Sequence, residues 1–181
     1  MQVARSWLAV VLAITVVAPA STVSASDEGF TVDTAALEFG LDPLIVRVVE
    51  LTNIHREHAG LAPLAINPSL GQVAQGYAEV LAAGDCFAHT CGPEPELTRR
   101  VERAGYLEWG VLGENLAGGQ ETPEEVVSRW MDSPGHRANI LNPQFTEIGA
   151  GLAYGGPYQR NWTQVFGTLL PRGEGVSRIA G

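Results

Sequence analysis

Lysine is missing from the whole chain, so all 11 basic side chains among its 181 residues are arginines. They face 20 acidic residues, for a formal charge of −9 at pH 7. An acidic body repels DNA, RNA and anionic lipid headgroups at long range, so no nucleic-acid partner is expected. Cysteine is scarce too. Cys86 and Cys91 are the only two, and the second C-x₂₋₄-C pair that usually completes a structural zinc site is absent. The chain has neither a G-x-S-x-G elbow nor an H-E-x-x-H helix, so two common hydrolase signatures are excluded. It also shows no internal repeat and no low-complexity run.

Long apolar runs are equally rare, and the one present lies at the start. WLAVVLAITVVAPA extends from Trp7 to Ala20 behind a short stretch carrying Arg5, and Val23-Ser24-Ala25 offers small residues for cleavage. This pattern predicts a secretory signal peptide over residues 1–25. An uncleaved anchor is the alternative, although the run is short of the roughly 20 apolar residues that a membrane-spanning helix needs. Residues 26–40 read as a linker, 41–171 as one domain and 172–181 as a flexible tail. Removal of Arg5 with the signal takes the charge from −9 to −10. The expected product is secreted, extracellular, soluble and monomeric, with no membrane span after cleavage.

Within the domain, CFAHTC at residues 86–91 places His89 between the two cysteines. Outside the cell, an even pair this close in sequence reads as a disulfide. A zinc site using both sulfurs and a redox pair are the other two readings.

Hydrophobic periodicity lays out the elements around that loop. A helix is predicted from Leu41 to Gly60, with Asp42 as cap and Pro43 in the first turn. A second is predicted from Asn67-Pro68 to Gly84 and a shorter one from Pro95 to Ala104. Thr122 and Pro123 start a fourth, with Glu125 placed for a capping box. Ser133-Pro134 repeats the start signal for a short helix through His136 to Leu141. The period then changes to alternation at Ile148, Ala150, Leu152 and Tyr154, with a second strand from Asn161 to Leu170 after a Gly155-Gly156-Pro157 turn. Helices first and a late antiparallel pair predict an α+β sandwich.

GEN at 113–115, WMDSPGHRANILNP at 130–143 and FTEIGAGLAY at 145–154 stand out beyond the cysteine loop. Taken with LTNIHREHAGLAPLAINPSL at 51–70, the histidine of FAHT and the closing WTQVFG, their order and wording resemble a known group. It is the CAP superfamily, of cysteine-rich secretory proteins, antigen 5 and pathogenesis-related 1 proteins, and the likeness is nearest to its bacterial secreted SCP-like branch. The resemblance covers nearly all of the mature domain. It implies a three-layer α/β/α sandwich with a small antiparallel sheet between helices and an open cavity.

In the animal and plant members of that family two histidines and two acidic residues line the cavity and can hold a divalent metal, often zinc. The resemblance carries His89 to the first histidine, Glu114 to the first acid and His136 to the second histidine. The second acid does not carry over: Ser133 stands at its place, with Asp132 beside it. The implied cavity set is therefore His89, Glu114, His136, Ser133 and Asp132, of which His89, Glu114 and His136 are the metal candidates.

The plainer reading of each residue is structural. Asn115, Asn139 and Asn142 are expected to tie turns and caps, and Trp130 and Trp162 to sit in the core. His55 and His58 suit a helix C-terminus. Gly149 and Gly151 are expected to permit close approach of another backbone. Ser133, ahead of Pro134, reads as an N-cap whose hydroxyl is committed to backbone amides. The leading expectation is a secreted binding or interaction module. Its cavity would take a divalent metal such as zinc, or a small apolar ligand such as a lipid or sterol, and a protein ligand is a further option. The alternative is a metal-dependent extracellular hydrolase using His89, Glu114 and His136, with Glu114 as base. No residue carries a catalytic motif of its own.

Overall fold

The computed structural model describes residues 42–171. The expected signal peptide, linker, first helical residue Leu41 and tail lie outside the described residues. Helix α1, Pro43–His58, starts where Asp42 accepts the Leu44 N–H at 2.8 Å. Two residues beyond its last turn, Gly60 takes a φ of 73°, a conformation that favours glycine. After the two-residue strand β1, Ala65–Ile66, helix α2 spans Pro68–Ala83. Its cap Asn67 accepts from the Ser69 and Leu70 amides. Helix α3 is shorter than its periodicity suggests, Leu97–Arg103 rather than 95–104, and the side chain at its cap, Glu96, makes no capping bond.

The next element corrects the sequence reading. Residues Trp109–Gly118 form a strand, β2, where no strand was expected. WGVLGENLAG has no clean alternation of apolar and polar residues. It becomes a strand because it pairs with the last strand along nearly its whole length. Helix α4, Pro123–Asp132, and helix α5, Pro134–Ile140, follow, then β3, Glu147–Gly155, and β4, Gln159–Leu169. The sheet order is β1-β3-β4-β2, with β1 parallel to β3 and the other pairs antiparallel.

Alternation along the strands divides the core between two faces. Ile148, Ala150 and Leu152 of β3 and Trp162 and Phe166 of β4 face α1, α4 and α5, where they meet Val48, Val126 and Trp130. Val165 faces the opposite way, onto Leu70, Val73 and Ala74 of α2 and Val101 of α3. Burying each large apolar side chain stabilises by roughly 1.5–3 kcal/mol, so the two layers together hold the sheet between the helices. On the α2 face of β3 stand Gly149 and Gly151. A Cβ on Gly149 would lie 2.1 Å from the Gly71 N and the Leu70 C, and one on Gly151 2.4 Å from the Gln75 N. The helix backbone occupies the space that side chains would need.

Two caps depart from expectation. Ser133 stands at the N-cap of α5, yet its side chain makes no capping hydrogen bond. At α4, Thr122 Oγ1 accepts the Glu125 N–H at 3.2 Å, but the Glu125 carboxylate accepts from Glu121 N rather than from Thr122.

Candidate functional site

The CFAHTC loop is closed by a Cys86–Cys91 disulfide with a Cα separation of 5.7 Å. This selects the clasp among the three readings of the sulfurs. Tyr77 of α2 donates its hydroxyl to Ala88 O at 2.7 Å, tying the loop to the core. Arg100 of α3 does more. Its guanidinium lies 3.6 Å over the Tyr77 ring and donates to Pro95 O and His89 O. Its remaining nitrogen, Nη1, donates to Glu114 Oε2 at 2.7 Å.

Glu114 belongs to β2, and its other oxygen, Oε1, accepts from His89 Nδ1 at 2.7 Å. Side-chain exposure is 3% for Glu114 and 7% for Arg100, against 62% for His89. The result is a buried ion pair that carries an exposed imidazole at its rim. The hydrogen bond to Glu114 raises the His89 pKa above its ordinary value, against an opposing pull from burial.

His136 lies elsewhere, in the first turn of α5. Its Nδ1 is buried and has no hydrogen-bond partner among the described residues. Burial lowers its pKa below the ordinary value, and the positive charges of His89 and Arg129 push the same way. It lines a cavity of about 410 Å³ together with Asp132, Ser133 and Arg129. The last residues of β2, Leu116 to Gly118, form another wall, and Phe87 and Tyr158 close one end with ring centroids 4.7 Å apart. Of the five residues expected to share a cavity, His136, Ser133 and Asp132 line this one. His89 and Glu114 form the adjoining pair and do not line it.

The donor set does not fit a metal ion as it stands. Both Glu114 oxygens are taken, one by a guanidinium, and a cation arriving there would meet Arg100 at close range. Among the described residues, no group of three or more His, Cys, Asp or Glu is arranged to hold a metal.

The asparagines join the elements around the cavity. Asn115 Nδ2 donates to His136 O and Gln164 Oε1, while Asn139 Nδ2 donates to Glu114 O and Asn115 Oδ1. Asn142 Oδ1 accepts the Gln144 N–H. Trp130 and Trp162 are both buried, with their indole N–H groups donated to Leu116 O and Gln120 O. His55 and His58 sit in the last turn of α1, where positive charge suits the helix dipole. Sequence reasoning missed Arg100, Arg129, Phe87 and Tyr158. Phe87 lies inside the cysteine loop and Arg129 directly precedes the WMDSPGHRANILNP stretch, while Arg100 and Tyr158 lie in ordinary amphipathic or turn sequence.

Residues 49–166 match the model of the Cysteine-rich secretory protein family, CAP, and the chain belongs to that family. Among curated proteins it is 42% identical over 120 residues to the uncharacterized protein YkwD of Bacillus subtilis, covering 66% of this chain and 45% of that one. It is 31% identical over 106 residues to the uncharacterized membrane protein YlbC of the same organism, covering 59% of this chain and 30% of YlbC. The chain thus spans less than half the length of either. Among solved structures, an extracellular protein with an SCP domain from Bacillus anthracis is 28% identical with a TM-score of 0.61, over 70% of this chain and 43% of that one. An outer surface protein of Borrelia burgdorferi shares the fold at 24% identity and a TM-score of 0.61, over 68% of this chain and 90% of that one.

Proposed function

We propose that this CAP domain is an extracellular binding module whose ligand site is the cavity between the cysteine loop, the end of β2 and α4–α5. The observation that carries this reading is His136, which lines a 410 Å³ cavity and keeps a buried Nδ1 without a hydrogen-bond partner among the described residues. Buried polar atoms normally find a partner, and one without a partner in a cavity is suited to a ligand. Extracellular placement rests on the signal-like N-terminus and on the likeness to an extracellular protein of Bacillus anthracis. The metal reading ranks lower, because Arg100 already neutralises Glu114. The same pairing weakens the hydrolase alternative, which needs Glu114 as a base.

Ser133 lines the cavity and is half-buried, so Ser133→Phe fills it from the wall. Screening a set of small organic fragments by amide chemical shifts should give saturable changes at His136 and the Trp130 indole that Ser133→Phe removes. Shifts that ignore this variant would sink the cavity reading. Stoichiometric zinc lost in both His89→Ala and His136→Ala would reverse the ranking against metal.

A second reading follows from a different groove. Ile45, Val49, Ile66, Pro68 and Ala150 line an apolar space of about 370 Å³ between α1 and α2. It suits a lipid or sterol better than the polar cavity does. Gly71 lines this groove, and a Cβ placed on it would meet nothing within 4 Å. Gly71→Leu should therefore abolish saturable binding of labelled sterol or fatty acid while leaving fragment binding at His136 intact.

A further inference from the structure

Among the described residues the sheet ends at β2, so one side of that strand has no strand neighbour there. Which backbone groups face that side follows from the register. Gly119 N donates to Arg160 O at 2.9 Å just past the ladder, and Ala117 pairs with Trp162 and Leu116 with Thr163. Antiparallel partners alternate between hydrogen-bonded and non-hydrogen-bonded pairs. The N–H and C=O groups of Asn115 and Ala117 therefore point at β4, and those of Glu114, Leu116 and Gly118 point outward. Two contacts agree with this parity: Asn139 Nδ2 donates to Glu114 O, and Trp130 Nε1 donates to Leu116 O, each at 3.1 Å.

Those two side chains cap the outward carbonyls of Glu114 and Leu116, which changes what the edge offers. Among the described residues nothing accepts from the Leu116 or Gly118 N–H, and nothing donates to Gly118 O. Where these residues line the cavity, the edge presents two donors and one acceptor. His136 and Arg129 line the same cavity, with Asp132 as the opposing charge. At the Gly118 end the aromatic pair sits directly on the strand. A Cβ on Gly118 would come within 2.7 Å of Tyr158 Cγ and 3.1 Å of Phe87 Cε2.

We propose that the outer edge of β2 at Leu116–Gly118 binds the free carboxy-terminal end of an extended peptide. The inference rests on the cavity reading above and names its ligand class. A carboxylate satisfies the surplus of N–H donors, and charge strengthens those bonds. A lone carboxylate has no donor for Gly118 O, whereas the amide N–H of a peptide does. Pairing an incoming strand to an exposed edge supplies main-chain hydrogen bonds, and pockets beside it read side chains. Phe87 and Tyr158 form such an apolar surface for a terminal side chain. Capping by Trp130 and Asn139 stops the pairing from running on toward Glu114, so the edge takes a chain end and not a long strand.

The test uses the full chain labelled with ¹⁵N and three probes: a pool of random tetrapeptides with free carboxylate ends, the same pool amidated, and acetate. The free-acid pool should give saturable shifts of the Leu116 and Gly118 N–H resonances. The amidated pool should bind at least about tenfold more weakly, a difference of about 1.4 kcal/mol. Tyr158→Ala, a change at a half-exposed turn residue, should weaken the free-acid pool several-fold without altering the fold. Equal binding of both pools overturns the carboxylate terminus, and acetate matching the free-acid pool overturns the peptide. Shifts at His136 and Trp130 with Leu116 and Gly118 unmoved overturn the edge but leave the cavity reading standing. Absence of any peptide-dependent shift overturns the inference, while the fragment screen decides the cavity separately.

Discussion

His89 Nδ1 lies 2.7 Å from Glu114 Oε1, across a gap of 25 residues in sequence, and the same carboxylate holds Arg100 with its other oxygen. One buried anion therefore serves a buried cation and an exposed imidazole together. His136, by contrast, has burial against its charged form and, among the described residues, no acidic hydrogen-bond partner.

The two histidines should consequently titrate on opposite sides of the ordinary value of 6.5, His89 above and His136 below. The stabilisation linked to His89 is fully present below the unfolded pKa and is lost as pH rises through the raised folded value. For His136 the sign reverses: stability is present above the unfolded pKa and is lost as pH falls through the lowered folded value. Imidazole resonances followed from pH 4 to 9 (roughly the span that covers both shifts) should show the split. Coincident midpoints would contradict the hydrogen-bonded pair.

Glu114→Gln removes the counter-charge of Arg100, which is 7% exposed. Leaving one partner of a buried ion pair alone should reduce stability by about 3–5 kcal/mol. Glu114→Gln combined with Arg100→Met should recover a good part of that loss, since no unpaired charge is then buried. Denaturant unfolding of the two variants checks the sign of the coupling. A double variant as unstable as the single one would show that packing, not charge, holds this corner.

Gly149 and Gly76 give opposite predictions for the same substitution. Gly149→Ala drives a Cβ into the α2 backbone and should destabilise by about 3 kcal/mol or more, at the upper end of overpacking. Gly76 lies within α2 with nothing in reach of a Cβ, so Gly76→Ala should stabilise by about 0.5–1 kcal/mol through helix propensity. Thermal melts of the pair are enough to check this.

Reduction of Cys86–Cys91 should act locally before it acts globally. Opening so short a loop costs about 2 kcal/mol on the chain-entropy estimate, while Tyr77 and Arg100 still hold Ala88 O and His89 O. The first changes should be at Phe87, losing its contact with Tyr158, and at His89, whose titration should move back toward 6.5. Unfolding of the whole domain at the same reductant concentration would refute a local role for the clasp.

How much of this was legible in the sequence depends on the range of the interactions. Asp42, Asn67 and Thr122 cap their helices as expected, because capping is decided within three residues. Strand β3 announced itself through alternation, and Gly149 and Gly151 through their place in it, while β4 was marked by the Gly155-Gly156-Pro157 turn ahead of it. β2 did not, since Gly110, Gly113 and Glu114 spoil its pattern and its pairing with β4 is made with residues far along the chain, such as Glu114 with Val165. Ser133 misled for a related reason: it holds the cap position of α5 but makes no capping bond, and it lines the cavity instead. The family resemblance pointed to His89, Glu114 and His136, but no motif revealed that Arg100 would claim a Glu114 oxygen.

Arg56 shows the limit most sharply and supports a final prediction. In the stretch IHREH it reads as one more charged residue near a helix end, yet it is 1% exposed. Its Nε donates to Ala62 O, its Nη1 to Ile140 O and Asn142 O, and its Nη2 to Phe145 O. No carboxylate is among these partners. A fixed planar fork reaches four carbonyls, one just past α1 and three at and beyond the end of α5, and so fastens the end of α5 to the end of α1. Lysine has one nitrogen on a flexible stem and cannot span that set. Arg56→Lys should therefore lower stability by about 3 kcal/mol, with buried carbonyls left unpaired. Because α5 carries His136, the variant should also move the His136 resonance and weaken hydrogen-exchange protection from Ile140 to Phe145. A loss below about 1 kcal/mol, the size of a single ordinary hydrogen bond, with α5 protection unchanged, would show that this guanidinium does not position the cavity wall.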